Sequence, residues 1–257
     1  MALVEVCFSP ALFPFIPQTG NTLTVVIDIL RATTSFCTAF DYGVEKIIPL
    51  NSLQQAFECK KQGHLVAAER DGLKPEFADF SNSAFDYMTD AIRGKTIYYT
   101  TTNGTEAIML AKEKGKVAVA SFLNYQAMVR WLKTRNEDII LLCAGWKNNF
   151  CIEDTLCAGA IAELLMKQEN TADNQTAEPD KAFIASGDAT DAAVLLWQSC
   201  NGNPEPLIKK SSHYKRLLKL GYQNVLNYSL ESGRSSAIPV FYNDGLIDLS
   251  VKPQHLI

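Results

Sequence analysis

The chain reads as an α/β protein: a largely parallel sheet with helices on both faces. Two observations predict this. Short apolar runs rich in Val, Ile and Ala alternate with amphipathic stretches of helical length, the pattern of βαβ units. The polar clusters each follow one of those runs, as expected when a parallel sheet gathers its ligands along the carboxyl ends of its strands. With 257 residues the chain suffices for one large domain or two closely packed lobes.

In order, residues 24–28 (TVVID) predict a buried strand and 32–42 a helix, with Gly43 in the position glycine favours after a helix. Residues 47–50 predict the next strand. Ser52 then caps a helix to about Gln62, ended by Gly63, and 65–68 form another strand. Residues 71–83 read as loop, followed by a helix holding 85–91 with Ser81 or Asn82 as cap. Strands at 96–100, 117–120 and 139–143 each precede a helical stretch. Residues 168–181 (QENTADNQTAEPDK) lack apolar periodicity and predict a mobile surface loop. Beyond them come a strand at 183–186, helices at 188–200, 213–220 and 224–228, and two closing strands around Asn243-Asp244-Gly245.

Composition narrows the function classes. Hydrophobic residues are 47%, charged residues 20% and the formal net charge is −4, an ordinary globular balance. There is no Lys/Arg block to track a nucleic-acid backbone, so nucleic acid is not an expected partner. No stretch approaches the roughly 18 apolar residues of a membrane span, and the first residues lack the layout of a secretory signal. Seven cysteines without a CxxC pair argue against disulfides or structural zinc and predict a cytoplasmic protein. His64, His213 and His255 share no metal-ligand spacing and suggest no Ser-His-Asp triad. Homodimerisation is the default expectation for a cytosolic protein of this kind.

Four clusters could carry chemistry. Asp28, Arg31, Thr33 and Thr34 put a carboxylate at a strand end and a guanidinium at a helix start. This suits a metal ligand or nucleophile beside an anion grip, although Asp28 could merely cap the helix and pair with Arg31. Glu69 and Arg70 end another strand before Gly72, with Asn82 and Ser83 beyond; a surface ion pair and a helix cap compete there. Thr101, Thr102, Asn103, Gly104 and Thr105 follow the strand TIYYT and make an anion cradle or a plain helix cap. They lack the Gly-Lys-Ser/Thr ending of a nucleotide-binding loop. Glu153 and Asp154 open a long helix, where they complement the dipole or reach a Mg²⁺ ion. Small Ala158, Gly159, Ala160 and Ala162 predict close packing of that helix on the sheet.

Taken together, VVIDILRATT (25–34), AERDGL (68–73), FSNSAFDY (80–87), TTTNGT (100–105) and CAGW…EDTLCAGAIAELL (143–165) resemble the successive signature blocks of the 2-phosphosulfolactate phosphatase family. The C-terminal YNDGLIDL (242–249) is similar as well, so the resemblance covers nearly the whole chain. It implies one three-layer α/β/α domain over 1–257 and Mg²⁺-dependent hydrolysis of 2-phosphosulfolactate to sulfolactate, a step of coenzyme M synthesis. Another phosphorylated 2-hydroxy acid or sugar acid is the alternative substrate. A non-catalytic sensor of an anionic metabolite is the rival from a different class.

On this basis Mg²⁺ is expected on Asp28, helped by Glu69, Glu153 or Asp154. Arg31 and residues 101–105 would hold the phosphoryl oxygens, and Arg70 the carboxylate or sulfonate. A water is the expected nucleophile. Asp28 could serve instead, but the paired Asp-x-Asp of aspartyl-phosphate enzymes is missing, because Leu30 occupies the second position.

Overall fold

A computed structural model describes residues 1–17, 19–167 and 182–252. The polar segment 168–181 that predicts a surface loop lies outside the described residues.

The strands are β1 (Ala2–Cys7), β2 (Thr22–Ile27), β3 (Lys46–Pro49), β4 (Leu65–Ala68), β5 (Thr96–Thr100), β6 (Lys116–Ala120), β7 (Asp138–Cys143), β8 (Phe183–Ala185), β9 (Pro239–Tyr242) and β10 (Gly245–Asp248). The helices are α1 (Ala32–Asp41), α2 (Leu53–Lys61), α3 (Gly104–Lys112), α4 (Tyr125–Lys133), α5 (Ile152–Met166), α6 (Asp188–Gln198), α7 (Glu205–Ile208), α8 (Ser212–Lys219) and α9 (Gln223–Ser229). Among the described residues the strands form one sheet in the order β4-β5-β3-β10-β9-β6-β2-β7-β1-β8.

Strand alternation explains the layers. In β2, Leu23, Val25 and Ile27 face a core shared with α4, α5 and α8, whereas Val26 faces a second core shared with α1 and α3. Neighbouring side chains point to opposite faces, so a strand apolar at nearly every position must be covered on both. α2 covers the outer face of β4 and β5 through Ala56, Val66 and Ala68.

The α/β class and the largely parallel sheet hold, with one topological addition. β4, β5 and β3 run parallel to one another, as do β6, β2, β7, β1 and β8. The β9–β10 hairpin joins the two runs through antiparallel pairings at β3, at its own turn and at β6. Three reversals set the runs in opposite senses. Both nevertheless contribute to one core around α1 and α3, through Ile47, Ile97 and Tyr99 from one run and Val26, Val119 and Ile140 from the other.

Several local expectations change. Ser52 does cap α2, accepting from the Gln55 N–H at 3.1 Å. The helix expected over 85–91 is instead two short 3₁₀ turns, Ala84–Tyr87 and Asp90–Ile92. Neither Ser81 nor Asn82 occupies the cap position, which falls to Ser83 without a side-chain hydrogen bond. The small residues of α5 serve helix–helix as well as helix–sheet packing, because Gly159 lies against the Ala193 carbonyl of α6. β1 and α7 are additional elements. β1 matters most, since it pairs with both β7 and β8 and so extends the larger parallel run.

Candidate active site

The four clusters leave the ends of β2, β4, β5 and β7, and the fold brings parts of all four together. Asp28, Arg31, Glu69, Asn82, Asn103 and Trp146 line one small cavity, closed on another side by His213 and Arg216 of α8. Its volume is about 10 Å³, close to what a single water needs. Beside it lies a wide groove of about 690 Å³ that includes Arg70, Thr101, Thr102, Thr105, Glu106 and Met109. The larger space is not where the buried charges converge.

Asp28 is buried, and that burial lifts its carboxyl to about 7. The Ala32 N–H counters the rise, repulsion from Glu69 adds to it, Arg31 lowers it and Glu153 raises it again. α3 begins directly against this carboxylate. A Cβ on Gly104 would lie 2.6 Å from Asp28 Oδ2 and 2.5 Å from the Ala32 Cβ, so only glycine allows the approach. The positive end of the α3 dipole thereby reaches Asp28.

Arg31 forms no ion pair with Asp28 among the described residues. Its Nη2 donates to the Gly72 carbonyl at 3.2 Å, and its guanidinium lies 4.0 Å over the Tyr222 ring. Its Nη1 is buried without a hydrogen-bond acceptor among the described residues. Glu69 accepts from the Gly72 N–H and, at 3.1 Å, from the Thr102 hydroxyl. Gly72, with φ of +91°, turns both its N–H and its carbonyl toward this network.

Other predicted residues are engaged by the fold. Arg70 donates to the Glu69 main-chain carbonyl at 2.6 Å and to the Thr100 hydroxyl at 2.8 Å. Thr101 and Thr105 cap each other: each hydroxyl accepts the other residue's N–H, at 3.2 and 3.0 Å. Asn82 Oδ1 accepts from the Tyr99 hydroxyl at 2.9 Å, and Asn103 Oδ1 from the Lys147 N–H at 2.9 Å. Both amides keep their Nδ2 donors for other partners. Ser83 is buried but does not line the cavity.

Glu153 and Asp154 part company. Asp154 accepts from the Ile29 N–H at 2.8 Å and the Gly145 N–H at 3.0 Å, tying together the turns that leave β2 and β7. Neither oxygen of Glu153 takes a hydrogen bond of normal geometry, although Ser211 and Cys151 lie beside it. Burial raises both carboxyls, and Asp154 is pushed further by Asp28 and Glu153.

Residues that the sequence did not single out complete the surroundings. His213 Nδ1 is 3.5 Å from Glu153 Oε1 and 3.7 Å from Cys151 Sγ. These three residues place ligand-type atoms within 4.8 Å of one another. Burial, then Arg216 and Arg31, hold His213 down to about 3, so it is neutral at physiological pH. Arg216 lies 3.8 Å over the Trp146 ring. The signal available in SHYKRLLK is the i, i+3 spacing of His213 and Arg216 on one helical face.

A strand-end cavity lined by buried carboxylates, guanidinia and amides defines an α/β enzyme site for a small anionic molecule. Comparison with known proteins names the family. The profile of the 2-phosphosulpholactate phosphatase family matches residues 7–244. The chain is 37% identical over 219 residues to a probable 2-phosphosulfolactate phosphatase of Thermotoga maritima, covering 85% of this chain and 88% of that protein. It is 33% identical over 223 residues to one of Caldanaerobacter subterraneus subsp. tengcongensis (85% and 87% covered) and 32% identical over 228 residues to one of Gloeothece citriformis (87% and 90%). The chain belongs to the 2-phosphosulfolactate phosphatase family. No described helix is long and apolar enough to cross a membrane.

Proposed function

We propose that this chain hydrolyses 2-phosphosulfolactate to sulfolactate and phosphate with Mg²⁺ as cofactor, the type of step that feeds coenzyme M synthesis. The observation that carries the proposal is the cavity in which Asp28, Arg31, Asn82 and Asn103 meet. Seven free cysteines, with no disulfide among the described residues, suit a cytoplasmic setting.

The carboxylates fit a hard divalent cation. Asp28 and Glu153 are buried and repel each other, and Glu153 leaves both oxygens without hydrogen bonds. Mg²⁺ prefers one or two carboxylates together with water and phosphate oxygens. Asp28 and Glu153 would hold it, Glu153 through oxygen rather than through the softer Cys151 and His213 donors at its side. When bound, Mg²⁺ offsets negative charge on the ester oxygens.

The chain's own groups do the rest. Arg31 binds the phosphoryl oxygens through the Nη1 that lacks an acceptor. The Asn82 and Asn103 Nδ2 groups add neutral donors. The first turn of α3 contributes its dipole. A water attacks phosphorus in line, and the bond between phosphorus and the bridging ester oxygen breaks. The departing alkoxide receives the proton that the water gives up, becoming the hydroxyl of sulfolactate. Because the cavity is only about 10 Å³, substrate entry requires α8 or the 69–72 turn to move.

The test is phosphate release from 2-phosphosulfolactate, phospholactate and phosphoglycolate, with Mg²⁺ and with a chelator. The proposal requires Mg²⁺-dependent release, fastest from phosphosulfolactate. Release from none of the three would refute it. Trapping of a phosphorylated Asp28 would replace water with Asp28 as the nucleophile.

A further inference from the structure

We propose that Arg216 is a specificity-determining residue that receives a second anionic group, so that the site selects phosphate esters whose leaving alcohol carries a sulfonate or carboxylate. This rests on the phosphatase reading above and deepens it.

The cavity holds two guanidinia from distant parts of the chain, Arg31 after β2 and Arg216 on α8. Both are fixed in the same way. Arg31 lies over Tyr222 and donates to the Gly72 carbonyl; Arg216 lies over Trp146 and donates from Nη1 to the Asp71 carbonyl at 3.1 Å. Aromatic faces and main-chain carbonyls orient a guanidinium without neutralising it. Neither arginine forms an ion pair among the described residues, and each keeps one buried N–H without an acceptor: Nη1 of Arg31 and Nε of Arg216. A buried cationic donor left unmatched is costly, which marks both as awaiting an anion.

Two such groups suit two anions. Arg31 leaves the same turn as Asp28 and serves the phosphoryl group. Arg216 stands on the α8 wall, with its Nη2 3.4 Å from His213 Nε2. It is the guanidinium free for the far end of the substrate. Arg70, expected from the sequence to fill this role, lines the neighbouring groove with its Nη groups on Glu69 and Thr100.

The experiment compares kcat/KM for 2-phosphosulfolactate with kcat/KM for phenyl phosphate, which has no second anion, in wild type, Arg216→Gln and Arg216→Lys, all with Mg²⁺. Arg216→Gln is expected to lower the ratio of the two by roughly 10- to 100-fold, the worth of a charge-assisted hydrogen bond, chiefly through KM. Arg216→Lys should recover part of that loss. An unchanged ratio, with both esters losing equally, would overturn the proposal. Should wild type release phosphate from neither ester, the phosphatase reading fails separately, and calorimetric titration with sulfolactate decides. Tighter binding by wild type than by Arg216→Gln supports the subsite; equal affinities or no binding by wild type overturn it. Melting curves of both variants identify any loss caused by unfolding.

Discussion

The wide groove beside α3 and the closed cavity beside Asp28 share a wall but differ in kind. The groove has the volume, about 690 Å³, and most of the hydroxyl-rich loop. Its threonines and its one arginine are already engaged: Thr101 and Thr105 with each other, Thr102 with Glu69, Arg70 with the Glu69 carbonyl and Thr100. In and beside the cavity, Arg31, Arg216 and Glu153 carry buried polar atoms with no hydrogen-bond partner among the described residues. Unspent hydrogen-bonding capacity, rather than size, marks the place prepared for a charged ligand.

The sharpest way to break this comparison is to remove a charge from each side of the wall. Asp28→Ala should lower kcat/KM by about 10³-fold, within the span of electrostatic and acid–base contributions. Arg70→Ala should cost less than about tenfold, because the ester does not depend on that guanidinium directly. Steady-state phosphate release measures both, and a larger loss from Arg70→Ala would move the site into the groove.

Gly104→Ala ranks next. Its methyl group would collide with Asp28 Oδ2 and the Ala32 Cβ. A loss of about 1–3 kcal/mol of stability is expected from overpacking, with activity falling alongside. Chemical denaturation and the same assay check it; an unaffected variant would mean that α3 does not press on the carboxylate.

The pH response concerns the metal-free protein. Asp28 is raised to about 7 in the fold from an ordinary value near 3.8. The folded state therefore holds a proton that the unfolded state releases, and the contribution of Asp28 to stability is greatest below the unfolded value. It should fall as pH rises from about 4 to 7, with a slope of at most about 1.4 kcal/mol per pH unit from this group. Asp28→Asn should flatten that part of the profile in urea melts at several pH values, and Mg²⁺ should offset the decline in wild type. Because His213, held down to about 3, contributes the opposite slope below its ordinary value, the comparison is between the two proteins. Parallel wild-type and Asp28→Asn profiles across that window would show Asp28 to be ionised without metal.

Much of this was legible before the fold. The apolar runs ended by polar residues were readable, and Asp28, Glu69 and Asn103 do line one cavity. The two runs point in opposite senses, however, so a single shared carboxyl edge is not what brings them together, and Glu153 lies outside that lining. The opposed senses of the two parallel runs were not legible. They depend on the long-range pairings Leu246↔Ile47 and Ala118↔Val240, which leave no local pattern. Nor does sequence spacing tell a cap from a cradle: Thr101 and Thr105 are hydroxyls in either case, and only their mutual hydrogen bonds decide which use is made of them. His213 and Arg216 reach the cavity from a short helix far along the chain, through tertiary packing alone. Asp154 could not be separated from Glu153 until the backbone N–H groups of Ile29 and Gly145 were seen to occupy it.

The most direct test is a crystal structure with Mg²⁺ and sulfolactate. The account predicts the ligand between Arg31 and Arg216, with the metal on Asp28 and Glu153 and with α8 or the 69–72 turn displaced to admit it. Sulfolactate seated instead in the groove against Arg70, Thr102 and Met109, with the Asp28 cavity still closed, would contradict it.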